Sequence, residues 1–419
     1  MSIRNTGRKA LGAVAVVAAA SLAVGVSMPA NAAGAADKTL KITSILPLTG
    51  ALSFLYPPME AGMHLAVDDI NKAGGVLGNK VVLTALDSGD GNNLAVSTQS
   101  ATQAIANGSD VVLGAAASGV TRNIINQITG HKIVEISPSN TAPDLSTWND
   151  GGYYFRTAPS DTLQGRIIAN QILSDGAQNV AIMYASNSYG TGLMNVAKST
   201  LQAASATVHT FSFTEGETNF DSIVADVTAS NPDAVLIVSY DETMKALPAL
   251  KAAGFPGGNI YLVDGNTVDY SAESFASYLA GAQGTIPGGS TTAAFKNRLK
   301  AEYAKLHPGQ TLSDFTYGPE SYDAVVLAAL AAQAAGKATG PAIKSQLTNV
   351  SKKGAGKVTV TSFAAGLKAI KAGKKVNYDG YSGPVEFDAN GDPTGAFIGI
   401  YRYKANGKNV LVKTVAGNK

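Results

Sequence analysis

Two segments of this chain end an apolar run in a cluster of small hydroxyl residues. Asp110-Val111-Val112-Leu113-Gly114 opens onto Ala115-Ala116-Ala117-Ser118-Gly119-Val120-Thr121. After a helix-like stretch, Lys132-Ile133-Val134-Glu135-Ile136 opens onto Ser137-Pro138-Ser139-Asn140-Thr141-Ala142-Pro143. Hydroxyls at strand ends, beside the start of a helix, suit the holding of an anion. Free backbone N–H groups and the helix dipole point at it, and no catalytic group is needed. Later runs end in a different chemistry: Ser186 to Tyr189, Tyr240, and Asp264, which closes Ile260-Tyr261-Leu262-Val263. A carboxylate in that place is costly unless it meets water or a cation. Ser and Thr at such positions also cap helices. Thr49 and Asp87 are read as caps, whereas for Ser118 and Thr141 capping and ligand binding are compatible.

Catalytic patterns are missing from the sequence. No G-x-G-x-x-G or G-x-x-x-x-G-K-[ST] follows a strand-like run, and Gly190-Thr191-Gly192 lacks the third glycine. The four histidines, His64, His131, His209 and His307, are scattered without metal-ligand spacing. No G-x-S-x-G elbow occurs. Asp388-Ala389-Asn390-Gly391-Asp392 begins like a calcium loop, but Pro393 replaces the required glycine and Gly399 the closing carboxylate. It is read as a tight hairpin turn. The expectation is a binding protein, not an enzyme, with no cofactor and no metal.

The elements that must position these groups alternate. Strand-like runs fall at Leu40–Leu46, Lys80–Asp87, Asp110–Gly114, Lys132–Ile136, Asn179–Tyr184, Thr207–Phe213, Ala234–Val238 and Asn259–Val263. Amphipathic stretches lie between them, which predicts an α/β fold with parallel sheets covered by helices on both faces. The eight runs divide into two groups of four at Tyr153–Ser160, read as a strand passing between two lobes. Helices are predicted at Thr291–Leu306, Gly318–Gly336, Ile343–Asn349 and Phe363–Ala372, returning to the first lobe. Val385–Phe387, Ala396–Arg402 and Val410–Thr414 predict a small antiparallel tail on the second. The expected division is residues 38–157 with 286–383 for lobe 1, and 158–285 with 384–419 for lobe 2.

Residues 1–32 read as a cleaved signal peptide. Arg4, Arg8 and Lys9 precede the apolar Ala10–Val26, and Ala30-Asn31-Ala32 supplies the cleavage pattern. The protein is therefore expected in the periplasm or outside the cell. The absence of cysteine excludes disulfides, thiolate metal sites and a lipoprotein anchor. Losing the three leader cations takes the formal charge from +2 to about −1, a balance that argues against a nucleic-acid partner. The lysines at 352, 353 and 357 and at 371, 374 and 375 are read as solvated helix ends or loops.

Taken in order, these segments resemble the type I periplasmic solute-binding proteins of ABC importers, in the leucine/isoleucine/valine-binding branch. The likeness runs from Ile45-Leu46-Pro47-Leu48-Thr49-Gly50 to Gly383-Pro384-Val385-Glu386-Phe387-Asp388. Between them lie Val67-Asp68-Asp69-Ile70-Asn71-Lys72-Ala73-Gly74-Gly75, Ile136-Ser137-Pro138 with Thr141, Asn187-Ser188-Tyr189-Gly190 and Asn219-Phe220-Asp221. The resemblance implies two doubly wound parallel-sheet lobes joined by a multi-strand hinge, a Venus-flytrap fold. It places Ser118 and Thr141 on a ligand α-carboxylate, and the Ser139 carbonyl and Asp264 on its α-ammonium. Tyr189 and Tyr240 would close over the ligand. Leu55, next to Tyr56, stands where the best-known members have a cleft tyrosine, and Ala117 lies in the wall. The implied function is capture of an amino acid, apolar or branched-chain, for a membrane permease, by a monomer. An amide, urea or aromatic acid as ligand, or an extracellular sensing role, are the alternatives.

Overall fold

The computed structural model describes residues 38–288 and 291–418, so the expected leader at 1–32 lies outside the described residues. The first sheet contains β1 (Lys41–Leu46), β2 (Val82–Asp87), β3 (Val111–Gly114), β4 (Val134–Ser137) and β5 (Tyr154–Arg156). All are parallel, in the order β2-β1-β3-β4-β5. Covered on both faces, the central strand β3, Val111-Val112-Leu113-Gly114, is apolar and wholly buried, whereas every residue of edge strand β2 keeps some exposure. Helices α1 (Tyr56–Lys72), α2 (Leu94–Ala106) and α3 (Ser118–Gly130) connect these strands.

The second sheet begins after α4 (Asp161–Ser174). It uses β6 (Asn179–Ala185), α5 (Ser188–Ala203), β7 (Thr207–Phe213), α6 (Asp221–Ala229), β8 (Ala234–Val238), α7 (Thr243–Ala252), β9 (Ile260–Leu262) and β10 (Gln283–Pro287). The chain then returns to the first sheet's helices with α8 (Ala293–Leu306), α9 (Gly318–Ala335), α10 (Gly340–Ser351), β11 (Lys357–Val360), α11 (Phe363–Lys371) and β12 (Lys375–Tyr378). Helix α9 is buried from Gly318 to Ala332 and apolar from Ala324 to Ala332, as befits a helix packed on every side. Finally β13 (Gly395–Tyr403) pairs antiparallel with β10, and β14 (Asn409–Asn418) antiparallel with β13. The second sheet thus runs β14-β13-β10-β9-β8-β6-β7.

Five differences from the sequence reading have physical reasons. Beyond the four strands expected in each lobe and the antiparallel tail expected on the second, the first sheet gains β5 and the second β10. Tyr154–Arg156 is the edge strand of the first sheet, and the crossing between lobes follows it. Strand β10, short and bounded by Gly and Pro, gave no apolar run to find. Val385–Phe387 contributes only an isolated bridge, Phe387 to Pro393, because the turn between them leaves no room for a ladder. Lys357 and Lys375, expected in helix ends or loops, pair in register in the two-stranded parallel sheet of β11 and β12.

The turn at residues 388–392 has a structural task. Its Asp392 is fully buried against Arg156, with Nε to Oδ1 at 2.6 Å and Nη2 to Oδ2 at 3.1 Å. Arg156 also donates to the Ala142 carbonyl and the Ser146 hydroxyl, so the buried charge pair is fully hydrogen-bonded. Gly391, at φ +78, lies against the Tyr154 carbonyl where a side chain would not fit. This ties the hinge segment to the edge of the first sheet.

Candidate ligand site between the lobes

Helix α3 begins at Ser118 directly after strand β3. Its N-cap is Ala117, and no side chain caps it, so the N–H groups of its first turn have no intrahelical partner. Two helices of the second lobe differ: Ser160 caps α4 by accepting from Thr162 N–H, and Asn187 caps α5 by accepting from Gly190 N–H. The loops after β3 and β4 are laced together. Ser137 Oγ donates to the Ala115 carbonyl at 2.7 Å, and Asn140 Nδ2 and Ser139 Oγ donate to the Ala116 carbonyl at 2.7 and 3.3 Å. Ser118 Oγ accepts from Ala142 N–H at 3.3 Å, placing it beside Thr141. Both hydroxyls are buried.

Thr49 and Asp87, expected as helix caps, bond to each other instead. Thr49 Oγ1 donates to Asp87 Oδ2 at 2.6 Å and Thr49 N–H to Oδ1 at 3.2 Å, because parallel pairing of β1 with β2 ends both strands side by side.

On the second lobe, Asp264 follows β9 and is 6% exposed. Tyr189 and Tyr317 donate their hydroxyls to its two oxygens, each at 2.7 Å, and Gln164 Nε2 donates to Oδ1 at 3.0 Å. Tyr189 stacks on Tyr240 with ring centroids 5.2 Å apart. Burial raises the Asp264 pKa, opposed by these three hydrogen bonds.

Asp161, the first residue of α4, is fully buried as well. Its N–H donates to the Thr141 carbonyl at 2.7 Å, which joins the hydroxyl loop of the first lobe to the acidic wall of the second. Neither of its carboxylate oxygens has a hydrogen-bond partner within normal geometry among the described residues. Burial and the nearby Asp264 charge hold its pKa well above the usual range, and Thr141 and Arg156 only partly offset them. Arg156, the basic group that acts on it, is already paired with Asp392.

Ser118, Ser139, Thr141, Tyr189, Tyr240 and Asp264 therefore fall into one connected cluster. Leu55, Ala117, Tyr189, Tyr240 and Tyr317 belong to the apolar cluster running through both lobes. Tyr56 is turned elsewhere, its hydroxyl donating to Glu60 at 3.1 Å, and Glu60 in turn meets His307.

Sequence reasoning missed Asp161, Gln164 and Tyr317. Ser160-Asp161 reads as an ordinary helix start, and Gln164 as part of the same helix. Tyr317 precedes Gly318-Pro319, another helix start. Its φ of +60, rare and strained for a bulky residue, is the structural mark of a constrained position. Because α9 packs on α1, Tyr317 reaches Asp264 from the opposite lobe.

The rim of the cleft is bridged too. Glu215 accepts from Gly91 N–H of the first lobe at 3.0 Å and from Asn187 Nδ2 at 2.8 Å, and Ser188 Oγ donates to Asp144 at 3.1 Å. No group of three or more His, Asp or Glu residues that could hold a metal occurs among the described residues.

Over residues 39–408 the chain matches the family described as periplasmic binding protein. It is 28% identical to the chemotactic signal transduction system substrate-binding protein BasB of Halobacterium salinarum, over 87% of each chain. Its fold is similar to LivJ of Streptococcus pneumoniae, a branched-chain amino acid transporter substrate binding protein in complex with isoleucine. The TM-score is 0.72 at 22% identity, over 91% of this chain and 100% of that one. It is equally similar to a solute binding protein of an ABC transporter from Rhodopseudomonas palustris in complex with p-hydroxybenzoic acid. There the TM-score is 0.73 at 16% identity, over 91% and 98% of the two chains. These two likenesses show the fold.

Proposed function

Since this chain belongs to the periplasmic binding protein family, we propose that it captures a small amino acid between its lobes and hands it, unaltered, to a membrane importer. The observation that carries this reading is the pair of buried carboxylates, Asp161 and Asp264, which form no ion pair among the described residues, the nearby Arg156 being paired with Asp392. Two such groups side by side do not both ionise unless a positive charge enters. A ligand ammonium supplies it. The uncapped start of α3, with Ser118 and Thr141, would take the ligand carboxylate. The apolar walls of Leu55, Ala117 and Tyr240 favour an apolar side chain of the branched-chain kind.

Charge-assisted hydrogen bonds contribute about 1.5–3 kcal/mol each. Four or five of them, less the cost of ordering, reach the roughly 8 kcal/mol of micromolar binding. Contacts from both lobes to one ligand favour the bridged, closed arrangement, which is how a partner would tell loaded from empty protein.

A thermal-shift screen against the amino acids, their amides, urea and aromatic acids tests the ligand class. Leucine, isoleucine or valine is expected to give the largest rise in Tm, equivalent to about 2.7 kcal/mol at a hundred times Kd. Stabilisation by p-hydroxybenzoate and by no amine overturns the reading. The chemotaxis relative favours one second reading, in which the same loaded form addresses a sensory partner. Uptake and chemotaxis assays on a strain lacking the gene separate the two.

A further inference from the structure

The lysines scattered along the C-terminal third come together on one face of the first lobe. Residues 352–375 hold seven lysines, no arginine and no carboxylate, while acidic residues outnumber basic ones in the rest of the chain. Parallel pairing of β11 with β12 sets Lys357 beside Lys375. The intervening α11 buries Phe363 and Leu367 and carries Lys368 and Lys371 in its last turn. Lys352, Lys353, Lys368, Lys371, Lys374 and Lys375 are all exposed. Neutralisation is slight: Lys353 meets Glu386 at 3.4 Å, and Lys357 donates to the backbone carbonyls of Asn349 and Lys352.

We infer that this lysine face seats the protein on an anionic lipid bilayer. The composition argues for that partner over a protein or a nucleic acid. Protein interfaces are enriched in arginine and depleted in lysine. Bidentate grip on phosphate likewise needs the planar guanidinium, which the face lacks altogether. Lysine alone gives diffuse, strongly hydrated charge, suited to a surface of dispersed anionic headgroups. Seating would hold loaded protein in the plane where a membrane partner works. It is independent of the ligand site, since none of these lysines touches the cleft cluster.

The test uses protein recovered after export, so that any leader has been processed. It is sedimented with vesicles of phosphatidylcholine alone, or of phosphatidylcholine with one-third phosphatidylglycerol. Binding is expected only to the anionic vesicles, and to disappear when salt rises from about 0.03 M to about 0.3 M as the Debye length shrinks. Each lysine near an anionic leaflet is worth about fivefold in partitioning. The triple variant Lys371→Glu, Lys374→Glu, Lys375→Glu should therefore lose at least about tenfold while keeping the ligand-induced rise in Tm. A second variant, Lys352→Glu with Lys368→Glu, guards against misfolding of the first and should also lose binding. Equal sedimentation of parent and both variants overturns the proposal. So does sedimentation that ignores phosphatidylglycerol, or preference for soluble polyglutamate or polyphosphate over vesicles.

Discussion

The two walls of the cleft are built on the same plan and finish in opposite chemistry. Each places a strand end beside a helix start. In the first lobe the helix is left uncapped at Ala117, and what faces the cleft is a set of donors, the first-turn N–H groups and the hydroxyls of Ser118 and Thr141. In the second lobe α4 and α5, the helices that carry Asp161 and Tyr189, are capped by Ser160 and Asn187, and acidic side chains face the cleft instead. A positive wall made largely of backbone and a negative wall made of side chains differ in how easily mutation can alter them. The negative wall is the vulnerable one. Asp264→Asn, which keeps the shape and removes the charge, is expected to weaken amino-acid binding by about a hundredfold or more, from the loss of about 3 kcal/mol in charge-assisted bonds. Calorimetry reads it directly, and a variant that binds leucine as tightly as the parent would sink the comparison.

The second consequence is in pH. Asp161 and Asp264 both have pKa values raised above 3.8, chiefly by burial. Without ligand the folded chain therefore holds protons that the unfolded chain has released, and its stability falls as pH climbs from 3.8 toward the raised values. A ligand ammonium favours the ionised pair, so in that window binding should release protons and tighten with rising pH. Titrations in buffers of different ionisation enthalpy measure the release. Asp161→Asn should reduce it, raise the Tm of the unliganded protein and lower affinity together. Binding that exchanges no protons at any pH between about 4 and 7 contradicts the paired carboxylates.

What the sequence made legible follows from the same contrast. The donor wall was visible because a short apolar run that stops at Ser and Thr marks a buried strand meeting a helix start. Asp264 was visible because a carboxylate closing Ile260–Val263 is costly. Asp161 was hidden behind an ordinary helix start, where an acidic residue is expected on grounds of the dipole alone. Tyr317 was hidden because its bond to Asp264 spans 53 residues and depends on how α9 packs. The missed strands are short or lysine-rich: β10 ends in proline, and β11 and β12 carry no apolar run. Fold class was legible in periodicity, but long-range pairing of side chains was not.

Tyr317 sharpens the comparison further, because it is the first lobe's direct grip on the second lobe's carboxylate. Tyr317→Phe deletes that hydrogen bond and keeps the ring. The expected cost is about 1 kcal/mol, a loss of about fivefold in affinity, together with a smaller closed fraction at a given ligand concentration. Scattering in the presence of saturating ligand reads the second effect. If closure and affinity are both unchanged, the hydroxyl is only a packing group.

Ser118→Ala should give the smallest effect, and its size is a statement about the backbone. If the ligand carboxylate rests mainly on the N–H groups at the start of α3, removing one hydroxyl leaves most of the grip in place. Affinity should then fall by only about twofold to threefold, the low end of the worth of one hydrogen bond. The Ala142 N–H would lose its partner at 3.3 Å, a long contact whose loss costs little. An amino-acid amide, which keeps the ammonium and neutralises the carboxylate, should be hurt less by Ser118→Ala than the acid is, since the helix start favours negative charge. Measuring acid and amide on parent and variant closes a thermodynamic cycle whose coupling term belongs to the serine and the carboxylate. A coupling near zero would move the carboxylate off the first wall, and with it the claim that the two lobes divide the ligand's charges between them.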